Sequence, residues 1–225
     1  VHFTGLFLFA LSIFSLVGLR VEGLGRNSSA LDRIRLGLKY IKDTPLLKEA
    51  LLFAVIVYLS MGPVQVMLPR FATGVLGLTD VSRGLFLGAM ALALLIGGGI
   101  SLPLAKKFGF GKMIFLCGTI CGFSIIVLGG TNVLGLSLFF LLLSGAGAGA
   151  SISLIVALLQ SESKPEYRGR LMSVYTITSQ VIPASSGFLS GIVLTKIPVD
   201  KAIIGAGGIL AFFLEMGILR MKSLK

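Results

Sequence analysis

Between Leu141 and Leu159 the chain carries no charged side chain, and directly afterwards come Glu162, Lys164, Glu166, Arg168 and Arg170. A second apolar stretch begins at Leu171. A helix crosses a hydrocarbon core ~30 Å thick with about 20 residues, so a run of this kind suits a membrane span. The abrupt polar joint reads as a tight turn at a membrane surface. Lipid leaves a spanning backbone two solutions, helix or closed barrel, and continuous apolar runs without alternation select the helix. The expected fold is therefore all-α, a polytopic membrane helix bundle of about seven transmembrane helices.

Composition agrees with this reading. Of 225 residues, 55% are hydrophobic and 13% charged, with a mean hydropathy of +1.00. That lies outside the range of a soluble domain. The 30 glycines fit membrane helices, where glycine lets backbones approach. A net charge of +11 would suggest nucleic acid in a soluble chain. Here the cations sit in short connections, with no basic and aromatic surface long enough to follow a strand, so no nucleic-acid partner is expected. Cys117 and Cys121 lie four apart on an apolar helix. A disulfide framework or metal site needs more ligands, so packing is their expected role and no metal or cofactor is expected. The apolar start has no basic leader and no small-residue cleavage site, and the first residue is Val rather than Met. We expect a piece of a longer chain whose earlier part is missing.

The spans fall at about 3–19, 50–71, 84–105, 113–130, 134–159, 171–194 and 202–219. This organises the chain into a first helix (1–19), a central loop (20–48), a six-helix bundle (49–221) and a short tail (222–225). Within the loop, Ser29 and Asp32 resemble a capping box. Leu31, Ile34, Leu38 and Ile41 then recur at helical spacing between basic residues, which predicts an amphipathic interfacial helix ended by Pro45. Pro63 and Pro69 predict a kink in the second span, and the Gly97–Gly99 run with Pro103 predicts a weakened end to the third.

Alternate connections divide the cations unequally. One side receives Arg20, Arg26, Arg33, Arg35, Lys39, Lys42, Lys48, Lys106, Lys107, Lys112, Lys164, Arg168, Arg170, Arg220, Lys222 and Lys225. The other receives Arg70, Arg83, Lys196 and Lys201. Sixteen against four is a strong positive-inside bias, placing the start outside and the C-terminus in the cytoplasm of a cell inner (plasma) membrane.

Four stretches carry a family resemblance: Gly37–Leu47 (GLKYIKDTPLL), Leu68–Gly77 (LPRFATGVLG), the glycine run Gly145, Gly147, Gly149 continuing to Gln160, and Pro165–Arg170 (PEYRGR). They resemble the C-terminal part, helices six to twelve, of a major facilitator superfamily transporter. The subgroup they resemble is the bacterial drug and siderophore exporters related to macrolide-efflux and enterobactin-export proteins. The resemblance implies secondary transport by alternating access, efflux of small amphipathic molecules, and a missing N-terminal half as partner. It also implies a proton as coupling ion, although the superfamily's antiporter motif lies in a helix preceding this chain. One departure stands at the turn after the eighth helix. Lys106 takes a position where the family pattern has an acidic residue, which puts a carboxylate–arginine latch there in doubt.

Polar groups within spans are costly toward lipid. Tyr58, Ser60, Gln65, Ser151, Thr176, Ser179 and Gln180 are thus candidates for the substrate cavity, with Ser153 and Thr178 beside them. Lys106, Lys107, Lys112, Arg168 and Arg170 are candidates for a gate at the cytoplasmic turns or for topology alone. Gly145, Gly147, Gly149, Gly187 and Gly191 suit close helix packing, or packing that also lets helices rock. Gly84/Gly88 and Gly118/Gly122 share the spacing. Pro183 marks a hinge or a fixed kink. Glu215 is the acidic residue inside a span, read as paired near Arg220, as a proton site or as an interhelix contact. Two other classes remain. Ser144–Gly145 resembles a rhomboid-like serine nucleophile, which needs a histidine, and His2 is the only one. A non-transporting membrane module or degraded transporter fragment is the other.

Overall fold

The computed structural model describes residues 30–220, with side chains from 35 to 217. The first predicted span and the tail lie outside the described residues. The chain divides into two units, 1–33 and 34–225, and the contacts below belong to the second. Every described element is a helix: α1 (Ala30–Asp43), α2 (Pro45–Gly74), α3 (Asp80–Phe108), α4 (Phe110–Gly129), α5 (Leu134–Glu162), α6 (Pro165–Val193) and α7 (Val199–Arg220). Helices α2 to α5 are each long and apolar enough to cross a membrane. At 1.5 Å per residue, α4 spans ~30 Å, while the others reach ~45 Å and must tilt or protrude. The expected all-α membrane bundle is the fold.

Prolines start helices here as well as interrupting them. The amphipathic helix ends where Pro45 predicts: α1 stops at Asp43, Thr44 is extended, and Pro45 also occupies the first turn of α2. The ring forbids the helical conformation to the residue before it, and its missing N–H costs nothing at a helix start. Pro165 opens α6 behind an extended Lys164 in the same way. Pro63, Pro69, Pro103 and Pro183 lie inside continuous helices, and α3 runs through Gly97–Gly99 to Phe108. The far end of the third span is therefore not broken. The α3–α4 joint is the single residue Gly109, whose φ of 94° suits glycine.

Packing runs α3–α5–α4–α7–α2–α6, with α2 also touching α5. Small residues set these approaches. A Cβ on Gly97 would overlap the Ala146 carbonyl, and one on Gly149 would overlap that of Leu94. Gly145 sits on Met90, while Gly147 turns to Cys117 and Cys121 of α4. The alternating glycines of α5 thus serve two neighbours, because positions 145 and 149 share one helix face and 147 lies on the opposite one. Gly84, Gly88 and Gly191 have open space where a Cβ would stand, so the four-residue spacing there marks no close approach.

Helix α1 buries Gly37 and Ile41, whereas Leu38 is 50% exposed. The predicted apolar face is therefore rotated. Gly37 packs against the backbone of Arg170, and the Tyr40 ring stacks on Tyr167, centroids 4.4 Å apart. The Lys164 backbone N–H donates to the Tyr40 hydroxyl at 3.1 Å.

Candidate functional site

Helices α2 and α6 meet along a seam that holds polar groups at several levels. Tyr58 and Tyr175, both buried, share a hydroxyl–hydroxyl hydrogen bond of 2.6 Å. One turn further along α2, Gly62 lies against the Pro183 carbonyl, Ser186 and Gly187, and a Cβ there would overlap that carbonyl. Gly187 in turn faces the Gly62 carbonyl and Val66. This paired absence of side chains brings the two backbones together. Beside the crossing opens a groove of about 370 Å³. Gln65 and Val66 contribute from α2, and Gln180, Pro183, Ala184 and Phe188 from α6. Both glutamine side chains are exposed.

The rest of α6 explains why this side differs from a lipid-facing one. Ser173, Thr176, Gln180 and Ala184 recur at three- and four-residue spacing and are all exposed, so they share one face. The hydroxyls of Ser173 and Thr176 donate to Gly169 and Met172 carbonyls one turn back. Those hydroxyl donors are thus committed, whereas the two glutamine amides keep donors as well as acceptors free. The exposed face of α3 is, by contrast, Val81, Leu85, Leu92, Leu95, Ile96 and Ile100.

Among the sequence candidates, the groove gathers Gln65, Gln180, Pro183 and Gly187. Ser60 and Ser151 line another space, a void of about 10 Å³ inside the bundle that Ser144 also borders. Ser151 donates to the Gly147 carbonyl at 2.9 Å, while the Ser60 hydroxyl is buried without a hydrogen-bond partner among the described residues. Thr176 is exposed on α6 beyond the groove, and Ser179 donates to the Thr176 carbonyl. Thr178 donates to Val174, and Ser153 faces Gly98 of α3. Tyr175 was not a candidate. Its partner is 117 residues away, and only a helix-to-helix register could have revealed it.

The five basic turn residues separate into groups. Lys106, Lys107 and Lys112 are exposed around the α3–α4 joint, with the Lys107 ammonium 5.3 Å from the Phe108 ring. Arg168 is exposed, whereas Arg170 stands 5.6 Å over Tyr167 and joins the stack that holds Tyr40. Among the described residues none of the five makes an ion pair; the salt bridge present is Arg83–Asp80 at 2.8 Å. Glu215 is exposed on α7, and the Arg220 side chain lies outside the described residues. Ser144 is buried and donates to the Leu141 carbonyl at 2.8 Å, so its hydroxyl is committed to its own helix. His2 lies outside the described residues.

Comparison with known proteins fits this geometry. The glucose transporter GlcP of Staphylococcus epidermidis is 28% identical over 97 residues, which is 43% of this chain and 22% of that protein. The matched stretch thus spans about a fifth of the relative's length. The profile of the Major Facilitator Superfamily matches residues 2–188. With most of its length matched and a bundle of apolar helices around a polar seam, this chain belongs to the Major Facilitator Superfamily.

Proposed function

We propose that the chain forms one wall of a secondary active transporter that exports small amphipathic molecules by alternating access. The observation that carries this reading is the exposed polar face of α6, which ends at the groove holding Gln65 and Gln180. Facing lipid, two unpaired amides would each cost several kcal/mol, roughly 2–7 kcal/mol per group on transfer from water to an apolar medium. Facing a water-filled cavity they cost little and can bind a substrate. The groove lining combines those amides with Val66, Ala184 and Phe188 and holds no ionisable side chain. That chemistry suits a neutral molecule with polar and apolar parts. Support for outward direction is the likeness of the four stretches quoted above to bacterial drug and siderophore exporters.

In this proposal a preceding half of the transporter supplies the opposite wall, and the halves rock around the bound substrate. A proton is the coupling ion. The cation asymmetry puts the α1, α3–α4 and α5–α6 connections and the C-terminus in the cytoplasm of the inner membrane. Arg168 and Arg170 act at the cytoplasmic gate.

The test is transport by the full-length protein carrying Gln65→Ala and Gln180→Ala. The expected result is a loss of about tenfold or more, from two hydrogen bonds each worth ~1 kcal/mol, with unchanged membrane insertion. Full transport by the double variant would overturn the assignment of the groove. A second reading, sugar transport, is favoured by the matched relative being a glucose transporter, since paired amides also suit hydroxyl groups. Counterflow of labelled glucose against an amphipathic dye separates the two.

A further inference from the structure

A second cleft, of about 550 Å³, lies where α1, α2 and α7 meet. Its rim carries Lys42 and Lys48, and its floor is Leu52, Ile56, Phe213 and Met216. We infer that this cleft binds an anionic phospholipid, with the phosphate on Lys42 and Lys48 and an acyl chain along the floor.

The arrangement of the two chemistries carries the argument. Lys48 and Ile56 are eight residues apart on α2, which is ~12 Å along a helix. That descent runs from a headgroup region into the upper acyl region of a bilayer. Leu52 and Phe213 are 47% and 40% exposed, so the floor is open to whatever lies beside the helices. Basic charge continues away from the rim. Arg35, Lys39 and Lys42 fall at four- and three-residue spacing on α1 and are all exposed, forming one stripe on an interfacial helix. Among the described side chains Asp43 is the exposed acid on this helix, and Glu49 lines the cleft while engaged in an interaction of its own. Among the described residues, the four cations Arg35, Lys39, Lys42 and Lys48 against the two carboxylates Asp43 and Glu49 leave an excess of positive charge over an apolar floor. Basic pockets between spanning helices at a membrane surface select anionic headgroups, and each basic residue near the surface contributes about fivefold in affinity. The reading requires only that α2 and α7 lie in a membrane, and it is independent of which substrate the transporter carries.

The test uses the purified chain in detergent, with native mass spectrometry to count retained phosphatidylglycerol and phosphatidylcholine of identical acyl chains. Phosphatidylglycerol should be retained at least about fivefold better. Lys42→Gln with Lys48→Gln should abolish that preference, while Arg70→Gln with Lys196→Gln, which removes the same charge elsewhere, should preserve it. Phe213→Ala should weaken retention without altering the preference, and it tests the floor should the lysine variant lose its helix content. Equal retention of the two lipids would overturn the inference. So would an unchanged preference in the Lys42/Lys48 variant, or its equal loss in the control. Full displacement of phosphatidylglycerol by millimolar inorganic phosphate would reduce the cleft to a bare anion site and overturn the lipid assignment.

Discussion

Tyr58 and Tyr175 show what residue-level reading gives and what it omits. Tyr58 stands out in sequence as a polar group in an apolar run, so its depth is legible, but the direction it faces is not. Two residues further on, Ser60 has turned about 200° around the helix and lines an internal void instead of the groove. Ser151 shares that fate for the same reason. Tyr175 escaped because nothing local links it to a side chain 117 residues earlier. The pair makes a measurable prediction. Tyr175→Phe leaves the buried Tyr58 hydroxyl unpartnered and should cost about 1 kcal/mol in unfolding stability in detergent, whereas Tyr58→Phe with Tyr175→Phe should recover most of it. An additive loss in the double variant would show that the hydroxyl bond is not what holds this level of the seam.

At the scale of elements, small residues determine which helices can touch. Gly97 and Gly149 allow α3 and α5 to approach with backbone on backbone. Gly149→Leu should therefore separate them and lower thermal stability by ~3 kcal/mol or more, since overpacking at a backbone contact has nowhere to relax. Gly191→Ala, at a position with open space, should leave the melting temperature unchanged. The pattern of glycines four apart was visible in the chain, but Gly84 and Gly88 have the same spacing and no neighbour. Spacing places two glycines on one face without saying whether another helix covers it. The α1 contact teaches a similar lesson. Its basic, amphipathic character was legible, but its docking through Tyr40 on Tyr167 was not, because the apolar repeat pointed to Leu38. Tyr40→Ala removes a ring stack worth ~1 kcal/mol and the hydroxyl that caps the Lys164 N–H. Limited proteolysis should then cut near Thr44 faster, with the rest of the bundle intact; an unchanged rate would mean that Gly37 and Ile41 alone hold α1.

For the whole molecule, the bundle is asymmetric in what it exposes. Between Val81 and Ile100 the large exposed side chains of α3 are all apolar, whereas the middle of α6 exposes Ser173, Thr176 and Gln180 beside Ile177 and Val181. The membrane character followed from the apolar runs, since bilayer thickness fixes their length, and four of the expected spans coincide with helices long and apolar enough to cross, α2 to α5. Which face of each span is wet depended on azimuth, and only the packed bundle supplies it. Under the proposed function, in which this chain contributes one wall of a cavity, it should not transport by itself, and co-expression with a preceding half should restore activity. The most direct test of the central claim is whether water reaches the α2–α6 groove at mid-membrane. Gln65→Cys, Gln180→Cys and, as a reference at a 59% exposed position on the apolar helix α4, Phe123→Cys would be labelled in membranes with a charged, water-soluble thiol reagent; the native Cys117 and Cys121 are buried and give little background. The account predicts fast labelling at both glutamine positions and slow labelling at position 123. Labelling at 65 and 180 no faster than at 123 would contradict it.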